Sequence, residues 1–358
     1  MAHAFDAVLA ERATRHGFAD RPATDVRAAV RLSTAIQAQD AAAGRLGVRS
    51  RAARVRDTDV RDAIEARAVV RSWFMRSTIH LVDAADAHWL SDLLGPAIER
   101  RFRKRWLDIG LTPALRDRCE RALPEILTGG PQTRQQILAA LAERGIELPA
   151  HDPQTPTHML VSATVRGLLC RGHDIGRDAT FALVDRWLPG PADGPRGDDA
   201  LAELARRYFA AFSPATAVDF ATWSGLPAIR AIGLIRDELA AVDVHGRPGF
   251  RFGEVDARRS LRLLAGFDNY LIGYRHRDAM LSALLRPRVY VGGIIKPTLL
   301  VDGRITGLWR LVRKPAKADV EITPFEPLTR KQRAALEAEA EDLSRFLDQP
   351  VAVTIGTD

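Results

Sequence analysis

The stretch "STAIQAQDAAAGRL", residues 33–46, sets two uncharged amides, Gln37 and Gln39, among small apolar residues. On a continuous helix, positions i and i+2 point about 200° apart, so the pair cannot share a face there. A break between two helices removes the conflict. Asp40 is a good N-cap for a helix beginning at Ala41, which leaves Gln37 closing one helix and Gln39 in the junction. Both amides would then face one cleft. Taken without context, the same residues better suit a bland role, exposed to solvent or hydrogen-bonded to a helix end. Asp40 reads as structural on the capping argument.

Outward from this junction, three segments share one plan: helical apolar spacing, a short break, a second helix, then two strand-like pieces. That is the pattern of a helix-turn-helix with a wing. The first segment reads as helices over 24–49 and 57–71, ending in the strand-like "VVRSWFMRSTIHLV". The second runs from "GGPQTRQQILAALAERG", where Thr133 and Gln136 have capping-box spacing, through "THMLVSATVRG" to a hairpin in "LLCRGHDIGRDATFALV". In the third, "DALAELARRYFAAF" precedes a helix expected at 215–224, with Pro214 in its first turn, and "VDVHGRPGFRFG" supplies two strands about a Gly-Pro turn.

The Pro/Gly-rich stretch "LPGPADGPRGDD", 188–199, reads as a linker between the second and third segments. Beyond residue 254, "VYVGGIIKPTLLVDGRITGLWRLV" alternates in period two, with Asp302-Gly303 a strong hairpin signal. "GGIIKP" within it reads as a bulge rather than a phosphate loop. A helix over 329–347, capped by Thr329, and a last strand "VAVTIG" complete the chain. The expected fold class is α+β: three winged-helix units, in 1–125, 126–190 and 198–253, and a β-rich C-terminal module over 254–358.

At 358 residues and 27% charged, the chain is long enough for two or three packed cores. It has no apolar run long enough to span a membrane, and "MAHAFDAVLAERATRHG" carries charge throughout, so neither insertion nor export is expected and the cytoplasm, at the nucleoid, is the expected location. Cys119 and Cys170 stand alone in apolar settings and form no disulfide framework or ligand set. The chain lacks G-x-S-x-G, G-x-x-x-x-G-K-[ST], H-E-x-x-H and paired C-x-x-C, so serine hydrolysis, P-loop chemistry and zinc chemistry have no support. No metal or cofactor is expected, and the charge pattern gives no reason to require more than a monomer.

The net charge is +7 and the pI about 9.9, with 47 Arg among 52 basic residues. Such a balance suits a polyanion, double-stranded DNA in particular, although Arg and Ala richness also follows from a GC-rich genome. Clustering favours the first explanation. Residues 45–76 hold nine Arg against four acids, and "ERRFRKRW" sets five cations beside one acid. Arg45 opens the first cluster as a candidate DNA contact. Trp73, Trp89 and Trp106 read as core anchors.

The blocks "LSTAIQAQDAAAGRLGVRSRA", "VVRSWFMRSTIHLVDAADAHWL", "YFAAFSPATAVDFATWSGL", "GFDNYLIGYRHRD" and "PTLLVDGRITGLWRLVRK" resemble successive blocks of the bacterial winged-helix DNA glycosylases of the AlkZ type, from about residue 30 to 314. The resemblance implies tandem winged helices in a C shape with a β-rich C-terminal domain, and excision of bulky or crosslinking alkylated bases. It also makes Gln37 and Gln39 the catalytic Gln-x-Gln motif, where a sister branch has Gln-x-Asp. One departure stands out: Ser77 occupies the position of glycine in the family's Arg-Gly-Thr-Leu-His pattern.

Weak catalytic groups suit such a reaction. A guanine alkylated at N7 is already cationic and leaves readily, so the enzyme has to place a water under the anomeric carbon and tolerate an oxocarbenium-like state. A neutral amide can orient that water without acting as a strong base. Lyase chemistry would need an amine nucleophile. Of Lys104, Lys296, Lys314, Lys317 and Lys331, none is near the glutamines in sequence, which favours a monofunctional enzyme; the N-terminal amine or a spatially close Lys296 is the alternative.

Arg76, Thr78 and His80 alternate on a strand-like piece that would point them to one side, Arg76 toward phosphate, with His80 either a buried hydrogen-bonded imidazole or part of the cleft. Arg275, His276 and Arg277 would meet backbone phosphates, with Asp268 and Asn269 shaping their loop; an Asp–Arg pair tying the C-terminal module to the third unit is the alternative. A second function from another class is a winged-helix DNA-binding regulator without catalysis. The placement of the two glutamines separates the readings.

Overall fold

The structure, a computed structural model, describes residues 5–176, 178–188 and 194–356. The chain divides into two compact units. One comprises 1–61, 202–223 and 227–358, and the other 62–201 and 224–226, so the divisions at 61 and 201 fall inside the helices Asp57–Glu65 and Gly197–Phe212. Part of the expected linker, 189–193, lies outside the described residues.

In the first unit a five-stranded sheet runs in the order Val351–Ile355, Ala318–Pro324, Arg304–Arg313, Thr298–Val301, Leu261–Leu264. All its pairs are antiparallel except Val351–Ile355 with Ala318–Pro324. A parallel pair needs a crossover, and the helix Arg330–Leu347 provides it. The expected cap is present: Thr329 and Gln332 satisfy each other's backbone N–H groups in a capping box. Asp302 (φ 47°) and Gly303 (φ 81°) both take left-handed conformations, as a two-residue turn between right-twisting strands requires. Gly303 is also needed for space, because a methyl group there would lie 2.4 Å from the Leu9 carbonyl oxygen.

Several local expectations are corrected. The glycines of "GGIIKP", Gly292 (φ 56°) and Gly293 (φ 82°), form the two-residue turn of the hairpin Tyr290–Val291/Ile294–Ile295 rather than a bulge; the irregularity falls between Leu299 and Leu300 instead. In "VDVHGRPGFRFG" the turn is carried by His245 and Gly246, and Pro248 opens the second strand. The helix expected at 215–224 starts at Ala217, after Pro214. Ala215 is drawn into a bridge with Phe250, and Thr216 with Asp219 forms a reciprocal cap.

In the second unit, strands run in the order Ile79–Asp83, Val69–Trp73, Leu169–Arg171, Thr180–Leu183, Gln132–Thr133, all antiparallel. Strands expected to end the first and second segments thus join in one sheet, through Arg71 opposite Arg171. The helix expected over 57–71 stops at Glu65 because β-branched Val69 and Val70 are claimed by a strand buried on both faces. Helices Ala87–Asp108 and Thr155–Val165 pack closely at Gly95, where a methyl group would meet the Val165 carbonyl oxygen at 2.2 Å. Thr133 caps Arg134–Glu143 with Gln136 as expected. Trp73, Trp89 and Trp106 are all buried, as core anchors should be. Cys119 and Cys170 are buried and unbridged, their thiols pushed up by burial to about 11 and about 12. Among the described residues, no helix is long and apolar enough to cross a membrane.

Candidate active site

The junction that holds the two glutamines is not a helix–helix joint. The helix Val26–Leu32 ends at its Ser33 cap, Thr34 turns the chain at φ 64°, and Ile36–Gln37 is a short strand. Within 24–49 the expected break between two helices is present and the second helix starts at Ala41 as expected, but the first ends at Leu32, so the placing of Gln37 at its end is corrected. The strand ends at Gln37, and Gln39 falls in the bend that follows it. Gln37 is 7% exposed and Gln39 is exposed. One amide is seated while its neighbour is open. Asp40 has the structural role expected of it, its Oδ1 accepting from the Ala43 N–H at 2.9 Å to begin the helix Ala41–Arg49.

Two glycines let that helix lie flat against the strand. A methyl group on Gly44 would come 2.7 Å from Ala38 Cβ, and one on Gly47 would come 2.8 Å from Ile36 Cγ2. Their i, i+3 spacing was legible in "AAAGRLGVR", yet a glycine inside a helix lowers its propensity and gives no hint of what approaches it. Asn269 holds another side of the strand. Its Oδ1 accepts from the Gln37 N–H at 3.1 Å, and its Nδ2 donates to the Ala35 carbonyl oxygen.

Asn269 is itself fixed by its neighbour. Asp268 receives a bidentate pair from Arg51, Nη2 to Oδ1 at 2.8 Å and Nη1 to Oδ2 at 2.9 Å, with both side chains 0% exposed. Asp268 Oδ1 also accepts from the Tyr270 N–H. This is not the alternative Asp–Arg pair that would tie the C-terminal module to the third unit: its arginine comes from the N-terminal segment, just past the helix that follows the glutamines.

Behind Arg51 sits His16, fully buried. Arg51 Nη2 faces its Nδ1 at 3.4 Å, and its Nε2 faces the Tyr274 hydroxyl at 3.3 Å. Burial, then the charges of Arg51 and Arg12, hold this imidazole well below its usual pKa. It is neutral, and with Arg51 donating to Nδ1 the proton belongs on Nε2. Arg49, on the same helix, is buried against Glu339 and Asp342 of the C-terminal helix at 3.0 and 2.8 Å. Burial alone would raise the Glu339 carboxyl, but Arg49, Arg21 and Arg262 outweigh it and the pKa is lowered.

The arginines assigned to DNA divide by availability. Arg45 is largely buried and paired with Asp57, Nε to Oδ1 at 2.5 Å. Arg277 is turned inward, its Nε donating to the Tyr274 carbonyl at 2.9 Å and its guanidinium lying over the Tyr290 ring. His276 is half-buried, whereas Arg275 is exposed and its backbone N–H donates to Asp219.

Arg76, Thr78 and His80 belong to the second unit. They do not alternate along one strand: Arg76 lies in the 3-10 turn Met75–Ser77, and the strand begins at Ile79. Arg76 (φ 57°) and Ser77 (φ 63°) are both left-handed, the conformation for which glycine at this place in the family pattern is suited. Thr78 Oγ1 donates to the Met75 carbonyl at 3.2 Å, bracing the turn. His80 is 1% exposed; its Nδ1 lies 2.9 Å from the Thr78 carbonyl, and its Nε2 has no hydrogen-bond partner among the described residues. Burial and then the Arg76 charge push its pKa down to about 3, so the ring is neutral and offers no charge to a phosphate.

A strand that carries Gln37, with Gln39 in the bend that follows it, packed against helix glycines and clamped by a buried asparagine, is an arrangement for holding a small polar group in a fixed position. The chain belongs to the AlkZ-like DNA glycosylase family, whose model matches residues 30–346. It is a DNA glycosylase of mixed α+β fold, and DNA is its substrate. Among curated proteins it is similar to an interstrand DNA cross-link repair glycosylase of Streptomyces sahachiroi, 28% identical over 333 residues, 87% of each chain. Among solved structures it is similar to the Streptomyces sahachiroi DNA glycosylase AlkZ, with a TM-score of 0.82 and 26% identity over 99% of this chain and 100% of that one.

Proposed function

We propose that this glycosylase is monofunctional and excises bulky or crosslinking N7-alkylated purines from double-stranded DNA, with Gln37 and Gln39 holding the attacking water in the manner of the Gln-x-Gln branch. The observation that carries this reading is the extended, braced backbone at Gln37. Amides cannot remove a proton strongly, so their use depends on position, and position is what the glycine face and Asn269 provide. The printed name of the Streptomyces relative, a cross-link repair enzyme, supports crosslinked duplex as the lesion class.

DNA contact is assigned in this proposal to Arg275 and Arg76, with Thr78 and His80 shaping the turn that presents Arg76. Arg45 and Arg277 would first have to leave their present partners. The three winged-helix units remain the reading of the chain's organisation. Affinity for undamaged duplex should be mostly electrostatic and fall with added salt.

Purified protein incubated with duplex carrying an N7-alkylguanine or a crosslink, followed by alkaline cleavage of abasic sites, tests the reaction. Wild type should release the base, while Gln37→Ala and Gln39→Ala each lose about 100-fold or more in single-turnover rate. Wild-type protein that binds duplex tightly yet frees no base would return the chain to the regulator class.

A further inference from the structure

We infer that Asn269 is a positioning residue for base excision, acting as a one-residue substitute for a neighbouring strand that sets the backbone beneath Gln37. The inference rests on the catalytic reading of the glutamines. Its geometric basis is specific: the Gln37 N–H and the Ala35 carbonyl flank Ile36 on one edge of the extended chain, and the Asn269 amide answers both. A parallel strand would bond to the same two groups with one residue's C=O and N–H. Because both partners are backbone groups of fixed polarity, the orientation of the amide is also fixed, oxygen to N–H and nitrogen to C=O.

The clamp is dry and cannot be replaced by solvent. Asn269 is 1% exposed, Ala35 and Ile36 are buried, and Gln37 is 7% exposed. Asn269 opens the four-residue helix Asn269–Ile272, and the preceding Asp268 is pinned by Arg51 from the end of the helix Ala41–Arg49. The Gly44 and Gly47 face of that helix packs on Ala38 and Ile36. The motif strand is therefore held on one side by packing and on another by an amide anchored to the same helix through a buried ion pair. Neither a carboxylate nor an aliphatic group can serve both bonds, since the site needs one donor and one acceptor from a single side chain.

Asn269→Asp keeps the shape and, assayed at alkaline pH where the buried carboxyl is ionised, loses the donor. Single-turnover excision on N7-alkylguanine duplex should fall about 100-fold, while duplex affinity stays unchanged, because a small misplacement of the motif affects the reaction and not the binding surface. In a Gln37→Ala background the same substitution should add little, as expected for a residue acting through Gln37. Full multiplication of the two losses, or a wild-type rate in folded Asn269→Asp, would overturn the inference. Should the buried charge prevent folding, Asn269→Ser, which keeps one of the two bonds, should fold and give an intermediate rate; a wild-type rate there overturns the inference equally. If Gln37→Ala and Gln39→Ala themselves excise normally, the catalytic reading fails first and this inference fails with it. Normal loss in the glutamine variants with no loss in the Asn269 variants removes only the positioning role.

Discussion

The backbone around Gln37 and the backbone around Ser77 are both short and non-helical, and each carries residues assigned to the DNA-facing chemistry, yet they are secured in different ways. Around Gln37 the backbone edge and the Asp268 carboxylate are matched, Asn269 answering one donor and one acceptor and Arg51 answering both oxygens of Asp268, while Ser33 Oγ, Thr34 Oγ1 and Arg51 Nε are buried without a partner among the described residues. Around Ser77 two consecutive non-glycine residues are left-handed, and the nearby His80 Nε2 is buried without a partner among the described residues. The first region gains rigidity from satisfied hydrogen bonds. Both regions hold left-handed non-glycine residues, Thr34 in the first and the consecutive Arg76 and Ser77 in the second, which persist only because the flanking structure over-determines them.

Breaking the matched region should have the largest effect. Asp268→Ala leaves the Arg51 guanidinium buried and uncompensated, and should cost about 3–5 kcal/mol of stability. Urea unfolding followed by tryptophan fluorescence reads this loss directly, and a change well below 1 kcal/mol would mean that the pair is solvated.

An intermediate effect is expected from acid, and it compares the two regions through their histidines. His16 and His80 are both buried and neutral, with folded pKa values below the ordinary one, His80 at about 3. A group of this kind contributes its stability in full above its unfolded pKa near 6.5 and loses it as pH falls from there toward the folded value. Each ring should therefore withdraw up to about 1.4 kcal/mol per pH unit below about pH 6.5. Urea midpoints of wild type and His80→Asn at about pH 7 and about pH 5 check the sign, the variant showing the shallower loss. Equal losses in the two proteins would place a solvated ring at position 80.

The smallest effect should come from relaxing the strained turn. Ser77→Gly removes a left-handed cost of about 1–2 kcal/mol and adds back the greater chain entropy of glycine, for a net gain of roughly 0.5–1 kcal/mol. Thermal midpoints would show it as a modest rise. A fall would mean that Ser77 makes contacts worth more than its backbone strain.

Legibility followed distance along the chain. Asp40, Thr133 and Thr329 were readable as caps because a side chain and the N–H it serves lie three residues apart, and Asp302-Gly303 was readable because the turn is two residues long. The strand at Ile36–Gln37 was hidden: two residues carry no period, and the flanking Ala-rich composition favours helix. The reading of Arg76 as part of an alternating strand failed for a related reason, since two left-handed residues break the period without the glycine that announces such a break.

The sequence alone therefore determined the capped helix starts at Ala41, Arg134 and Arg330, the Asp302-Gly303 turn, the α+β character, the basic balance and the amide pair itself, because each depends on residues within one turn of one another or on composition. The tertiary structure decided that Gln37 lies on a strand, that Asn269, 232 residues away, clamps it, and that Arg51 pairs with Asp268 across 217 residues. Hydrogen bonds at such separations leave no periodic trace. Which buried donor meets which buried acceptor is fixed only when the packed chain excludes water from both.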